Sequence, residues 1–502
     1  KSGQTEETST HFTVFNSLAQ RRTSVVGFPL AGVLDPGVNG VGVRDARGDP
    51  VQAQLSRQND TVYIVANVSS LSTASFDIVS PCTSDCAELP TITEGVIDLS
   101  NTHGTTVTMA ESTGLPEKIN GVHAQHRYAQ YHAEQGGPYV LIETDSASPL
   151  PAHSLLGSVS AIGPIFQEVE STFDLGYNSS GDLISTTRVY TDPDCEQAGI
   201  VEIQHGVPEK IGDNRELIMH VATGLATDGS LWTDESGLEM HERAYDPTLP
   251  ISGNYHGLVL SSSIRAKRSS EHSKSQHSTE NSAKQMSILT QHTMGVASLG
   301  NGEIEYMMAR NIVNGTDDQG PWPLRQLQGA FSFPTWVMMG DSDEVESNRV
   351  ISALRLENPL VVLHGDSKAE GKKFRALRRG AHAKGKASPK PMNDGVHLLS
   401  FHARQLADDN EEYVVRVQNV VAGSGVKTVD LAASVLNYAS CQEMTLSLQE
   451  ERATNEMHRL IWKTKGGSED DTSPEAYFVN NDVDCKSVTL GPLDIRTFLL
   501  KM

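Results

Sequence analysis

Leu231-Trp232-Thr233-Asp234-Glu235-Ser236-Gly237-Leu238-Glu239-Met240-His241-Glu242-Arg243 and, further on, Gly295-Val296-Ala297-Ser298-Leu299-Gly300-Asn301-Gly302-Glu303-Ile304-Glu305-Tyr306-Met307-Met308-Ala309-Arg310 decide the fold class. Each is a strand pattern interrupted by a corner of Asp, Asn and Gly, and Gly253-Asn254-Tyr255 sits between them. Runs of this kind, bounded by turn residues and without a helical period, read as antiparallel sheet.

Working outward, the same pattern recurs. Thr61-Val62-Tyr63-Ile64-Val65-Ala66 and Ser75-Phe76-Asp77-Ile78-Val79 are β-branched and aromatic runs ended by turn residues, and they suit a small sandwich over 12–95, after a loose polar tail over 1–11. A larger sandwich is expected over 96–330, with Glu216-Leu217-Ile218-Met219-His220-Val221-Ala222-Thr223 as a half-buried strand. A third is expected over 331–502, closing on a strand over Val488–Leu499. The fold class is therefore mainly β, in several stacked antiparallel sandwiches.

Two stretches break the pattern. From Ser262 to Gln285 the chain turns to Ser, His, Lys, Asn and Gln, too polar to offset the entropy of ordering, so it is expected to be a mobile insert. Inside it Arg265-Ala266-Lys267-Arg268-Ser269 reads either as a furin-type processing site with Arg268 as the preferred cut, or as a solvated charge run. A basic segment over 368–390 holds a single aromatic, Phe374, and reads as a second loop.

With 502 residues the chain is too long for one core. A net charge of −23 argues against nucleic acid or an anionic membrane as partner, because both would repel the surface. No apolar run approaches the roughly 18 residues of a membrane span. A first residue Lys1, in place of Met and a leader, is what a processed fragment would show. The triplets at Asn59, Asn67, Asn178 and Asn314 are glycan acceptors if the chain takes the secretory route.

The five cysteines lack a C-x-x-C pair, so structural zinc is disfavoured. Cys82 and Cys86, flanked by Pro81, Thr83, Ser84 and Asp85, are expected to form a local disulfide, and Cys441 and Cys485 a second. Cys195 is left as a free thiol or a bond to another chain.

Direct signals for catalysis are weak. Glycoside hydrolysis needs two carboxyls about 5 to 9 Å apart. Asp317-Asp318 is the most conspicuous pair, but before Gln319-Gly320-Pro321 it reads as a turn. His123, His126 and His132 are too far apart along a strand to chelate one ion unaided, and a wet, polar sheet face is the simpler reading.

Six short motifs, in order, carry a resemblance. Phe15-Asn16-Ser17-Leu18, Gly137-Pro138-Tyr139, Trp232-Thr233-Asp234-Glu235-Ser236-Gly237, Gly253-Asn254-Tyr255, Ser298-Leu299-Gly300-Asn301-Gly302-Glu303-Ile304-Glu305 and Asp494-Ile495-Arg496-Thr497-Phe498-Leu499 resemble Y-N-P-L, G-A-Y, F-Y-T-D-x-N-G, G-N-Y, S-L-x-x-G-x-L-E and E-I-R-T-F-L. These belong to the β-rich C-terminal half of class II α-mannosidases of the lysosomal type, glycoside hydrolase family 38.

The resemblance implies a large sandwich of the galactose-mutarotase kind with smaller ones beside it. It implies a retaining hydrolysis of terminal α-linked mannose by a zinc-dependent catalytic barrel. That barrel has no counterpart in these residues, so catalytic groups and zinc are expected on a separate upstream chain, in a lysosome, vacuole or outside the cell. Tyr139 and Gly320 match positions that reach the mouth of the barrel, with Gln319 beside Gly320 in a loop one residue shorter than the family's. Gln319 stands where the family has Arg, and Gln291-His292 where lysosomal members often have Asp-Arg. Those departures leave open a catalytically inactive relative that binds carbohydrate or protein.

Overall fold

The computed structural model describes residues 8–31, 40–133, 135–136, 141–143, 146–176, 178–234, 236–237, 239–267, 283–313, 329–365, 390–405, 411–421, 425–435, 438–458 and 484–501. Two compact units emerge. The first comprises 1–14, 23–67 and 75–364, the second 15–22, 68–74 and 365–502.

The first unit begins with a small sandwich. Strands Arg22–Pro29 and Thr61–Val68 alternate buried and half-buried positions, the period of two expected of a sheet with one face in a core. They pair with each other, and Thr61–Val68 also pairs with Ala53–Leu55, while Thr8–Asn16, Ser72–Ser80, Gly42–Asp45 and Pro50–Val51 belong to the other sheet. The Phe28 ring packs 5.0 Å from Phe12 and 5.9 Å from Phe76 between them. Val361–Gly365 closes this sheet beside Thr8–Asn16, so the sandwich draws a strand from far beyond 95.

The large sandwich is a nine-stranded sheet against a ten-stranded one. Val122–His132, Arg215–Thr223 and Glu303–Asn311 lie side by side at the centre of the first, each antiparallel to the next. In the second, Phe331–Asp341 runs between Val201–Val207 and Lys284–Thr290, and helix Ser342–Glu357 follows directly. Leu217, Met219, Val221, Val169, Ile203 and Ile288 fill the space between the sheets. The boundary expected at 330 is thus displaced: Phe331–Asp341 is an interior strand of the large sandwich, recruited by pairings that local pattern does not record.

The polar insert is also shorter than its composition suggests. Ser261–Arg265 and Lys284–Thr290 pair as strands, and Ser261, Ser262, Ser263 and Ser287 are fully buried. Three of the four hydroxyls find partners: Ser263 and Ser287 bond each other at 2.7 Å, and Ser261 donates to Asp234 at 3.1 Å, whereas the Ser262 hydroxyl has no hydrogen-bond partner among the described residues. Residues 268–282, with Arg268, and the basic loop 366–389 lie outside the described residues.

A four-stranded sheet, Val396–Gln405, Glu411–Asn419, Ile495–Lys501 and Ser440–Met444, and the pair Lys427–Val429 with Val488–Leu490 make the second unit. Val415, Val417, Leu431, Phe498 and Leu500 form its core. The terminal strand expected over Val488–Leu499 is two strands. Between them Leu493 takes φ 60° and Gly491 N donates to Asp494 Oδ2 at 2.7 Å, a side-chain-closed corner that turns the chain. Asn16 joins this unit, its amide donating to Gln20 O at 2.8 Å and Ser69 O at 3.1 Å.

Candidate functional site

Strand Val122–His132 serves two environments. Ala124 and Tyr128 belong to the core between the sheets, whereas Ala129 and Tyr131 join a small cluster with Ile218, covered by Ala147 and Ile251. His126 is on the inner side and 1% exposed, so the wet, polar face expected there is in fact buried core. Its Nδ1 lies 2.7 Å from Ala124 O, and burial lowers its pKa to about 4.

The outer side is polar but closed. Register places Tyr131 opposite Glu216 and Glu216 opposite Arg310; four residues away, Arg127 faces His220 and His220 faces Glu305. Glu216 is fully buried and its Oε1 accepts from Arg310 Nε at 2.9 Å and Nη2 at 2.8 Å. Burial raises the Glu216 pKa and Arg310 opposes that rise. Arg127 Nε donates to His220 Nδ1 at 3.2 Å, and His220 Nε2 faces Glu303 at 3.4 Å. Burial, followed by the Arg127 charge, holds His220 below its ordinary pKa.

Glu305 is the centre of the site. It is 4% exposed, and its Oε1 accepts from the hydroxyls of Tyr131 at 2.5 Å and Tyr255 at 2.6 Å. Burial raises its pKa while the two phenols pull it back. The Tyr255 ring lies against Gly295, where a Cβ would come within 3.3 Å of the ring, so the missing side chain makes the seat. Asn254 shapes the turn before Tyr255, accepting from Asp246 N at 2.8 Å and donating to Asp246 O and Pro250 O. Glu143 Oε1 accepts from Ile251 N at 3.1 Å at the start of the same turn.

Other motif residues are structural. Asp234 accepts from the backbone N–H of Val259, Leu260 and Ser261 at 2.9 to 3.2 Å, tying the Leu231–Asp234 corner to the next strand. Gly302 takes φ +73°, and a Cβ there would lie 2.5 Å from Leu225 O. Arg496 donates to both carboxylate oxygens of Glu443 and to Thr489 O.

Tyr139, Gln319, Gly320, Asn314 and the Asp317-Asp318 pair lie outside the described residues. Asn59, Asn67 and Asn178 are exposed, as a glycan acceptor must be. Both expected disulfides form, Cys82 with Cys86 and Cys441 with Cys485, and Cys195 is a buried free thiol. Among the described residues no three His, Cys, Asp or Glu side chains converge to hold a metal ion, so this part of the chain does not fit a zinc centre. Nor is any helix there long and apolar enough to cross a membrane.

Comparison with known proteins bears on what this arrangement serves. Residues 96–319, which include Tyr131, Glu216, Tyr255 and Glu305, match the model of the glycosyl hydrolases family 38 C-terminal domain. Over these residues the chain is similar to a family 38 C-terminal domain. Similar curated proteins include the lysosomal alpha-mannosidase of Dictyostelium discoideum, 22% identical over 64% of this chain and 32% of its own length. An alpha-mannosidase of Arabidopsis thaliana is 24% identical over 76% of this chain and 37% of its own. The chain thus spans about a third of the relatives it matches. A solved alpha-mannosidase from Enterococcus faecalis shares the fold, with TM-score 0.58 and 12% identity over 98% of this chain and 56% of that one.

Within the matched residues, Tyr255 and Glu305 stand in motifs visible in the sequence, though their meeting is not. Glu143, Glu216 and Arg310 stand in none of the motifs tied to a role. Only the strand register exposes Glu216 and Arg310 as a pair, and only the docked Ile251–Asn254 turn exposes Glu143.

Proposed function

We propose that this chain is the C-terminal, β-rich subunit of a retaining, zinc-dependent α-mannosidase that removes terminal α-linked mannose from glycans. The catalytic barrel and its zinc belong to a separate upstream chain, and this chain binds no metal. The family match over 96–319 carries the reading. The bond between two motif residues, the Tyr255 hydroxyl and the Glu305 carboxylate, supports it, since a binding scaffold must be held to fractions of an ångström.

In this reading Tyr139, Gln319 and Gly320 complete the substrate pocket, Tyr139 through its ring or hydroxyl and Gly320 through close backbone approach. Asn59, Asn67, Asn178 and Asn314 carry glycans, and Arg268 is a processing site. A relative named as a lysosomal alpha-mannosidase supports the secretory route, ending in a lysosome, a vacuole or the extracellular space.

A second reading, a mannosidase-derived scaffold that binds carbohydrate or protein without turnover, is favoured by Gln319 where the family has Arg. Co-expression with its catalytic chain decides between the two. The first reading expects α-mannoside hydrolysis by the pair, abolished by a zinc chelator, and none by the 502-residue chain alone. A well-folded pair without turnover selects the second.

A further inference from the structure

We propose that Glu305 is a positioning residue, which holds in place the ribbon formed by Gln135–Gly136 and Leu141–Ile142. The ribbon has only two residue pairs, Gln135 with Ile142 and Gly136 with Leu141. A two-stranded ribbon this short is not self-supporting, so its anchorage lies at its ends. On one side the chain leaves strand Val122–His132 just after Tyr131, whose hydroxyl donates to Glu305 Oε1 at 2.5 Å. On the other it reaches Glu143, whose Oε1 accepts from Ile251 N at 3.1 Å.

Ile251 opens the helical turn Ile251–Asn254, which has no side-chain cap from the residue before it, so the Glu143 carboxylate serves an otherwise open N–H. The turn leads directly to Tyr255, whose hydroxyl returns to Glu305 Oε1 at 2.6 Å. The path Glu305, Tyr131, ribbon, Glu143, Ile251, Tyr255 and back to Glu305 is a closed ring. Its junction is one oxygen receiving two phenol protons in a nearly dry site. Bonds to a charged acceptor are about twice as strong as neutral ones, which suits a junction with two clients. Ile251 adds an apolar contact to the Ala129, Tyr131 and Ile218 cluster inside the ring.

The ring itself rests on geometry alone; its use in catalysis rests on the mannosidase reading, in which the ribbon brackets the segment containing Tyr139. Hydrogen exchange by mass spectrometry on the 502-residue chain tests the ring directly. Tyr255→Phe, and separately Glu305→Gln, should speed exchange about ten-fold or more at residues 135–136 and 141–143, which are distant in sequence from both changes. Residues 217–223 in the neighbouring strand should keep their protection. Unchanged exchange at 135–136 and 141–143, or a uniform rise across the sheet, overturns the proposal.

With the catalytic chain present, a Tyr139→Phe and Tyr255→Phe double variant should lose no more kcat/KM than the worse single change, because the two act through one element. Fully additive losses overturn the positioning role. If Tyr139→Phe alone leaves turnover intact, the pocket reading of Tyr139 fails, while the exchange result still decides the ring.

Discussion

The Tyr128 hydroxyl and His205 Nδ1 lie 2.9 Å apart in the middle of the large sandwich, both sealed from solvent. His205 Nε2 faces Thr335 Oγ1 at 2.9 Å and the Tyr306 hydroxyl at 3.3 Å. The two sheets are therefore stitched by a neutral imidazole whose nitrogens are both engaged. Burial lowers its pKa to about 3, as it lowers that of His126 to about 4.

Acid should loosen this stitch. Both folded pKa values lie below the unfolded one, so the unfolded chain takes up protons first and stability, complete above about pH 6.5, falls as the pH drops toward 4. The loss from each histidine is on the order of a few kcal/mol. Glu216, Glu305 and Asp234 act oppositely: their raised pKa values mean that burying the charge costs stability at neutral pH, a cost relieved by protonation. Urea unfolding between about pH 7 and 4 should show a shallower acid loss for His205→Gln than for the parent. Equal slopes would remove His205 from the account.

How much of this was readable beforehand depends on whether a residue's environment is local. Thr61–Ala66 and Ser75–Val79 lie inside the strands Thr61–Val68 and Ser72–Ser80, because alternation is a property of the segment itself. The Cys82–Cys86 bridge was legible for the same reason. The buried serines of Ser261–Arg265 were not: their composition is that of a loop, and the groups that satisfy Ser261 and Ser263, namely Asp234, Arg349, Ser287 and Gln285, come from other parts of the chain. The pattern around His126 does not reveal its burial, because a strand pattern gives two faces without saying which meets the second sheet. Likewise Tyr255 and Glu305 are 50 residues apart, and their shared bond exists only once the turn and strand are docked.

Gly302 separates two costs that a glycine can hide. Gly302 and Gly121 have nearly the same positive φ, +73° and +75°, yet a Cβ at 302 would meet Leu225 O at 2.5 Å and one at 121 nothing within 4 Å. Gly121→Ala should cost about 1 to 2 kcal/mol from the left-handed backbone alone. Gly302→Ala should cost clearly more, since the obstructing atom is backbone. Denaturant midpoints at constant m decide it, and equal losses would remove the clash from the argument.

Arg188 is a half-buried cation with two buried anions. Its guanidinium bonds Glu168 at 2.7 Å and Glu202 at 3.1 Å and lies 4.2 Å over the Phe166 ring, while Glu202 also accepts from Tyr190 and Trp336. Arg188→Met would strand both carboxylates, a loss of roughly 3 to 5 kcal/mol. Adding Glu168→Gln and Glu202→Gln should recover a substantial part, because the penalty lies in uncompensated charge more than in the lost pair. A triple variant no more stable than Arg188→Met would contradict this.

Cys195 resolves the odd cysteine count. It is 4% exposed, its Sγ donates to Gln197 Oε1 at 2.5 Å, and burial pushes its pKa up to about 12. It sits in the wall of a cavity of about 460 Å³ between the Pro193–Ile200 turn and helix Ser342–Glu357, so small reagents can come near. Reactivity is limited by the proton, since the thiolate is the nucleophile. A pKa near 12 instead of 9.0 leaves about a thousand-fold less thiolate near pH 8. Iodoacetamide should therefore leave the native chain unmodified over hours and add one group per chain within minutes of denaturation, with both disulfides kept intact. Rapid native alkylation, or a disulfide-linked dimer on a non-reducing gel, would show instead that the thiol is accessible and Cys195 free to bond another chain.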